Sequence, residues 1–145
     1  PVYSHLAYDI LSGKIQTVQQ PDILIVEGLN LLQKGDGRGD RSMRTFFSDF
    51  LDFSIYVDAL EEDIEQWYIE RFITLRETVF RDPSSYFHKY ADLSKDESIV
   101  MARTIWRTIN RENLRKNIFQ TREHADLILK KGRDHAVQVI KLKRM

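Results

Sequence analysis

The run DILIVEG at residues 22–28 sets four apolar residues between two acids and closes on Glu27 and a glycine. A short, continuous, β-branched run reads as a strand buried on both faces. An acid at the C-terminal end of such a strand stands where α/β folds place their ligands. There Glu27 can help hold Mg²⁺ beside a phosphate, directly or through water, or it can simply end a strand. The loop that should accompany a phosphate site of this kind, G-x-x-x-x-G-K-[ST], is absent. Gly13-Lys14 lacks the earlier glycine and is followed by Ile15. Gly35, Gly37 and Gly39 do not make a dinucleotide fingerprint, and Arg38-Gly39-Asp40 reads as a chance match to an adhesion tripeptide.

Two tyrosines and a histidine gather in YSHLAY, residues 3–8. In an extended chain Tyr3 and His5 point to one side, as hydrogen-bonding partners for a small polar ligand or as the polar tips of a half-buried strand. Tyr68, Arg71 and Phe72 are related by three- and four-residue steps. Arginine beside aromatics suits a phosphate-bearing ligand with an apolar tail, and it also suits an ordinary amphipathic helix. Tyr86-Phe87-His88 and the pair Trp106 and Asn110 add further rings and an amide. A buried amide needs partners, and a ligand is one kind. The histidines at 5, 88, 124 and 135 have no metal-ligand spacing, and there is no cysteine. A disulfide scaffold, a cysteine-ligated zinc site and a cysteine nucleophile are excluded.

Several elements must position these groups. Residues 53–57 (FSIYV) read as a second buried strand, and 33–40 between the strands as a glycine-rich polar loop. Asp58 with Glu61 forms a capping-box pattern ahead of a helix over about 60–80, which carries Ile64, Trp67, Tyr68, Phe72, Leu75 and Val79 at helical spacing and stops at Asp82-Pro83. An aromatic-rich connector follows. Ser94 with Glu97 is a second capping box, and Ile99, Ala102, Ile105, Trp106 and Ile109 give the next helix, running toward 119, one apolar face. Residues 126–129 and 136–142 read as strands joined by a turn at 131–134. The order predicts an α/β protein with a mainly parallel sheet.

The 145 residues, 42% of them hydrophobic, suffice for a core. No apolar run approaches the ~20 residues that span a bilayer. No signal-peptide pattern opens the chain, and its start on Pro1 rather than Met leads us to expect a piece upstream of it. Its 22 basic and 22 acidic side chains are unevenly distributed, with the acids concentrated before residue 100 and the bases after it. Arg103, Arg107, Arg111 and Arg115 are evenly four apart. Such a stripe can attract phosphates, but no nucleic-acid motif accompanies it. The plainer reading is a solvated helix face and attraction between the two halves of the chain.

Taken together, PVYSHLAYD, QPDILIVEGLNLLQ, SDFLDFSIYVDA, WYIERF, DPSSYFHKYA and TREHADLILKKGRDHAVQVIKL resemble type I pantothenate kinase, the ATP-dependent bacterial enzyme that opens coenzyme A synthesis. PVYSH and DPSSYFH are specific, whereas DILIVEG is shared with uridine kinases and phosphoribulokinases. The resemblance implies an α/β P-loop kinase fold, a parallel sheet flanked by helices, with the N-terminal P-loop portion absent. Residues 1–145 would be the C-terminal, substrate-binding part of a single kinase domain.

By that resemblance Tyr3, His5, Tyr8, Tyr68 and Asn110 look like the pantothenate-binding residues. Arg71 looks like the catalytic arginine near the transferred phosphate, and Glu27 like the strand-end acid near the metal. Phe72, Phe80, Phe87, Trp106 and Ile109 look like an apolar wall that also receives the thioethanolamine end of coenzyme A, the feedback inhibitor. Leu75 stands where the family commonly has another phenylalanine. Lys131 and His135 look like nucleotide-side residues, with His135 against adenine. The resemblance further implies ATP and Mg²⁺ as cofactors that need the missing half, a homodimer, a cytoplasmic location, and neither membrane nor nucleic acid as a partner. This piece alone is expected to be inactive, and to aggregate, dimerise or need its other half. The alternatives are a related small-molecule kinase with a nucleoside or sugar phosphate acceptor, and a non-catalytic binding module.

Overall fold

The computed structural model describes residues 1–34 and 45–143. The glycine-rich loop expected over 33–40, with its adhesion-like tripeptide, lies almost wholly outside the described residues. Contacts divide the chain into two compact units, Pro1–Val26 with Trp67–Thr104, and Glu27–Gln66 with Ile105–Met145.

The first unit begins with a hairpin, β1 (Val2–Ser4) antiparallel to β2 (Asp9–Leu11), with Tyr3 opposite Ile10. Gly13 sits at φ +70°, a conformation that costs glycine nothing, and lets the chain turn so that Val2 N–H reaches the Lys14 carbonyl at 3.0 Å. The unit also takes most of α1 (Glu61–Glu77) and of α2 (Lys95–Ile105).

Helix α1 opens on Glu61, Glu62 and Asp63, whose charges suit the positive end of the helix dipole. It stops at Glu77, earlier than the Asp82-Pro83 signal suggested. The Thr74 and Thr78 hydroxyls turn back onto the carbonyls of Glu70 and Thr74 over this last turn. Pro83 acts locally instead, and Asp82 before it is extended at ψ 119°. Helix α2 starts as its capping box requires. Ser94 N–H donates to Glu97 Oε2 at 2.8 Å, and Glu97 N–H to Ser94 Oγ at 3.3 Å. These bonds hold the Glu97 carboxyl below its ordinary pKa.

The second unit is built on a three-stranded sheet in the order β3 (Ile55–Asp58), β4 (Leu127–Lys131), β5 (Val137–Leu142). β3 and β4 are parallel, and β4 and β5 antiparallel. The sheet is therefore mixed where a mainly parallel one was expected. The tight turn after Lys131 brings the chain straight back, with Gly132 N–H donating to the Ala136 carbonyl at 2.9 Å. One sheet face packs the core, where Tyr56, Leu32 and Ala125 are buried beside Leu51, Ile118 and Ile128.

Three further expectations are corrected. Residues 22–27 form no strand. The run is irregular, with bends at Asp22 and Ile23, and Ile23 and Ile25 are 82% and 88% exposed. A strand needs a neighbour to complete its ladder, and among the described residues this run has none. Asp58 does not cap α1. It ends β3, and its carboxylate is held by Arg122 at 2.9 Å. The long helix after residue 94 is not α throughout. It winds as π-helix over Trp106–Asn110 and Leu114–Ile118, and as 3₁₀-helix over Phe119–His124.

Two arginines of the basic stripe meet acids. Arg115 makes a bidentate pair with Glu61 at 2.7 and 2.8 Å, which raises its pKa, and Arg107 lies 3.6 Å from Glu65.

The start of β3 is clamped to the start of β4. Ser54 donates its N–H and its hydroxyl to Asp126 Oδ2 at 2.8 and 2.6 Å, and Asp126 N–H returns a bond to Ser54 Oγ at 3.1 Å. The hydroxyl and then the amide of Ser54 lower the Asp126 pKa. A depressed carboxyl stabilises the fold fully above its unfolded pKa of about 3.9, and that contribution disappears as pH falls through the folded value. Urea midpoints should therefore be level above about pH 5 and drop below about pH 4, and Ser54→Ala should shallow the drop. Superimposable acid limbs for the two proteins would refute this role for the clamp.

Candidate functional site

The first unit holds a continuous ladder of aromatic rings. The hairpin turn begins it. Tyr3 and His5 meet edge to face at 5.2 Å, and Tyr3 and Tyr8 at 6.2 Å. His5 lies in the turn rather than in an extended strand, so the hairpin and not a two-residue alternation brings these rings together. Ala7 N–H donates to Ser4 Oγ at 3.2 Å and helps close that turn. The Tyr3 phenol is pushed up in pKa, chiefly by desolvation and then by Tyr8 and Asp9.

The DPSSYFH segment supplies the next rungs. Asp82 Oδ1 accepts from the Ser84 amide at 2.9 Å and hydroxyl at 2.7 Å, which folds the segment and lowers the Asp82 pKa. Tyr86 N–H donates to the Leu6 carbonyl at 3.0 Å and ties this segment to the hairpin turn. Tyr8 stacks on Tyr86 at 5.1 Å and meets Phe87 edge-on at 4.9 Å. Phe87 continues to Phe80 at 5.3 Å, and Phe80 to Phe72 of α1 at 5.5 Å. Tyr90 closes the group on Phe72 at 5.5 Å. His88 Nδ1 donates to the Phe80 carbonyl at 2.9 Å, which fixes its tautomer.

Exposure changes along this ladder. Tyr3 and Tyr8 are 45% and 54% exposed, whereas Phe72 and Phe80 are buried. Exposed phenol and imidazole groups stand at one end and buried rings at the other, with the Tyr90 ring against them. The exposed end offers hydrogen-bonding groups beside aromatic faces to a small polar molecule. On α1, Tyr68 is half-buried and Arg71 exposed, four positions and one position from buried Phe72.

The structure gathers Tyr3, His5, Tyr8, Phe72, Phe80 and Phe87 into one cluster. Tyr86 and Tyr90 belong to it too. The aromatic density of DPSSYFHKYA signalled Tyr86, and the three-residue step from Phe87 could have signalled Tyr90.

Of the other expected residues, Tyr68 and Arg71 belong to the first unit and the rest to the second. Trp106 is buried and Asn110 half-buried, but Ile109 is 61% exposed. The π-turn over Trp106–Asn110 lengthens the repeat, so Ile109 leaves the apolar face that α-helical spacing assigned to it. Lys131 is half-buried at the end of β4, and His135 sits in the following turn at φ +66°. Glu27 is exposed on the irregular 22–28 segment.

The sequence has no phosphate-cradling loop, and among the described residues no three acidic or histidine side chains converge as metal ligands. A polar hollow of about 210 Å³ near Ser54, His124 and Asp126 contains none of the expected residues. No helix of the described residues is long and apolar enough to cross a membrane.

No family model matches the chain. Its curated relatives are proteins named pantothenate kinase. One from Sorangium cellulosum is 57% identical over 145 residues, all of this chain and 46% of its own length. One from Pasteurella multocida is 58% identical over 144 residues, 99% of this chain and 44% of its own. One from Haemophilus influenzae is 56% identical over 144 residues, 99% of this chain and 45% of its own. The chain spans about half the length of the curated relatives it matches, and over that span it is homologous to them.

Proposed function

We propose that this chain, as a homologue of part of these pantothenate kinases, carries the substrate side of an ATP-dependent kinase that phosphorylates the primary hydroxyl of pantothenate. The observation that carries the reading is the ring ladder, whose exposed end sets Tyr3, His5 and Tyr8, hydrogen-bonding groups suited to a hydroxylated acceptor, beside the rings that run on to Phe72 and Phe80. Residues 1–145 would be the C-terminal part of one domain of P-loop kinase fold. ATP and Mg²⁺ would be held largely by the portion that the relatives have in addition, with Glu27, Lys131 and His135 on the nucleotide side. Tyr68 and Asn110 would contact pantothenate. Coenzyme A would compete through the apolar end, where Phe72, Phe80, Phe87, Trp106 and Ile109 are assigned. The working enzyme would be a cytoplasmic homodimer.

Arg71 is the residue assigned to the transferred phosphate, where a guanidinium offsets charge in a loose transition state. In a polypeptide of the relatives' length containing this chain, Arg71→Ala should lower kcat about a thousandfold with a much smaller change in the pantothenate KM. The purified 145-residue chain, given ATP, Mg²⁺ and pantothenate, should form no phosphorylated product. Turnover by that chain alone would overturn the assigned division of labour. Transfer to uridine but not to pantothenate by the longer polypeptide would overturn the acceptor.

A further inference from the structure

We infer that Tyr86 is a positioning residue that sets the ring of Tyr8 for the acceptor. The inference rests on the reading of the ladder as the pantothenate side of the site.

Tyr8 has φ +54°, in the left-handed region that a side chain with a Cβ seldom adopts. A tyrosine persists there only where its surroundings over-determine it. Three contacts do so. Tyr86 N–H holds the Leu6 carbonyl at 3.0 Å, two residues before Tyr8. The Tyr86 ring stacks on the Tyr8 ring at 5.1 Å and 23°. Phe87 meets the same ring edge-on at 4.9 Å and 70°. The Tyr8 ring is thus gripped from two directions while remaining 54% exposed. Its phenol stays accessible to a ligand, and its direction is fixed beforehand.

Tyr86 is fixed in turn, as a positioning residue must be. Phe87 meets it edge-on at 5.0 Å and 87°. The Lys89 ammonium lies 5.2 Å from its centroid and the same distance from that of Tyr90. The 86–90 segment therefore forms a rigid brace for the hairpin turn. A tyrosine hydroxyl is not required for this role, but a flat ring is. The brace acts through Tyr8 rather than on the reacting atoms, so it should govern acceptor binding more than turnover.

The test uses the longer polypeptide for both kinetics and spectroscopy. Tyr86→Ala should raise the pantothenate KM about five- to tenfold with kcat within twofold. Tyr86→Phe should restore the parent KM, because it keeps the ring. In a Tyr8→Ala background Tyr86→Ala should add nothing further. In the same polypeptide, Tyr86→Ala should weaken the nuclear Overhauser contacts of the Tyr8 ring with Tyr3 and Phe87, and Tyr86→Phe should keep them. An unchanged KM for Tyr86→Ala, an additive double variant, or undiminished Tyr8 ring contacts would each overturn the inference. If the longer polypeptide is not saturated by pantothenate at all, the acceptor assignment fails, while the Tyr8 ring contacts still decide whether Tyr86 orients that ring.

Discussion

Arg122→Ala should destabilise the chain by about 3 kcal/mol, read as a lowered urea midpoint with an unchanged slope. Arg122 Nη2 lies 2.9 Å from Asp58 Oδ2, and Asp58 is buried at the end of β3 with 8% of its surface exposed. Removing the guanidinium leaves a carboxylate largely shielded from water without its ion-pair partner, with Lys130 opposite it on β4, and the cost is that of a poorly compensated charge rather than of a lost contact. The phenol of Tyr56, two residues back on the same face, registers the same field. Its pKa is raised by burial and then by Asp58, and Arg122 opposes the rise. A paired substitution separates the charge from the packing. Asp58→Leu with Arg122→Met should recover most of the loss, because it removes both charges and keeps the volume. A single-variant loss below about 1 kcal/mol would mean that water already solvates Asp58.

The same residue shows what was legible in the sequence and what was not. The pattern of Asp58 and Glu61 is a capping box by type and spacing, as is that of Ser94 and Glu97. Only the second forms, because nothing remote claims Ser94, whereas Asp58 is claimed by an arginine 64 positions later. Local chemistry can be read locally, and competition from afar cannot. The strands at β3, β4 and β5 were visible as apolar runs, but the direction of β5 depended on how tightly the turn after Lys131 closes. Residues 22–27 had the strongest strand pattern of all and form none, since a ladder belongs to two segments and a pattern to one. In the site, residue types found Tyr3, His5, Tyr8 and the phenylalanines. Their meeting depends on a four-residue turn and on the Tyr86-to-Leu6 hydrogen bond, which periodicity does not encode. Ile109 leaves the apolar helix face expected of it because a π-turn breaks the spacing from which that face was read.

The bare face of the β3-β4-β5 sheet leads to the other large expected effect, which is that the 145-residue chain self-associates. Cross-strand register places Ile55, Leu127 and Leu142 in one row and Val57, Leu129 and Ile140 in the next. The neighbouring Tyr56 and Asp58 point into the core, so these six aliphatic side chains share the opposite face. Ile55, Val57, Ile140 and Leu142 are 52%, 60%, 64% and 67% exposed. The outer edge of β3 has no partner strand among the described residues, so the face continues to an open ladder. A contiguous aliphatic patch of roughly several hundred Å² beside an open edge favours association. Sedimentation of the chain should therefore show oligomers that grow with concentration. Val57→Lys with Ile140→Lys puts two charges in one row and should return a monomer, with stability within about 0.5 kcal/mol because both side chains face solvent. In a polypeptide of the relatives' length the same pair should be strongly destabilising if the additional portion covers this face, because the two charges would then be buried. A parent chain that is monodisperse at all concentrations would refute the prediction. A doubly substituted chain that melts far below the parent would show that the face is already packed within these residues.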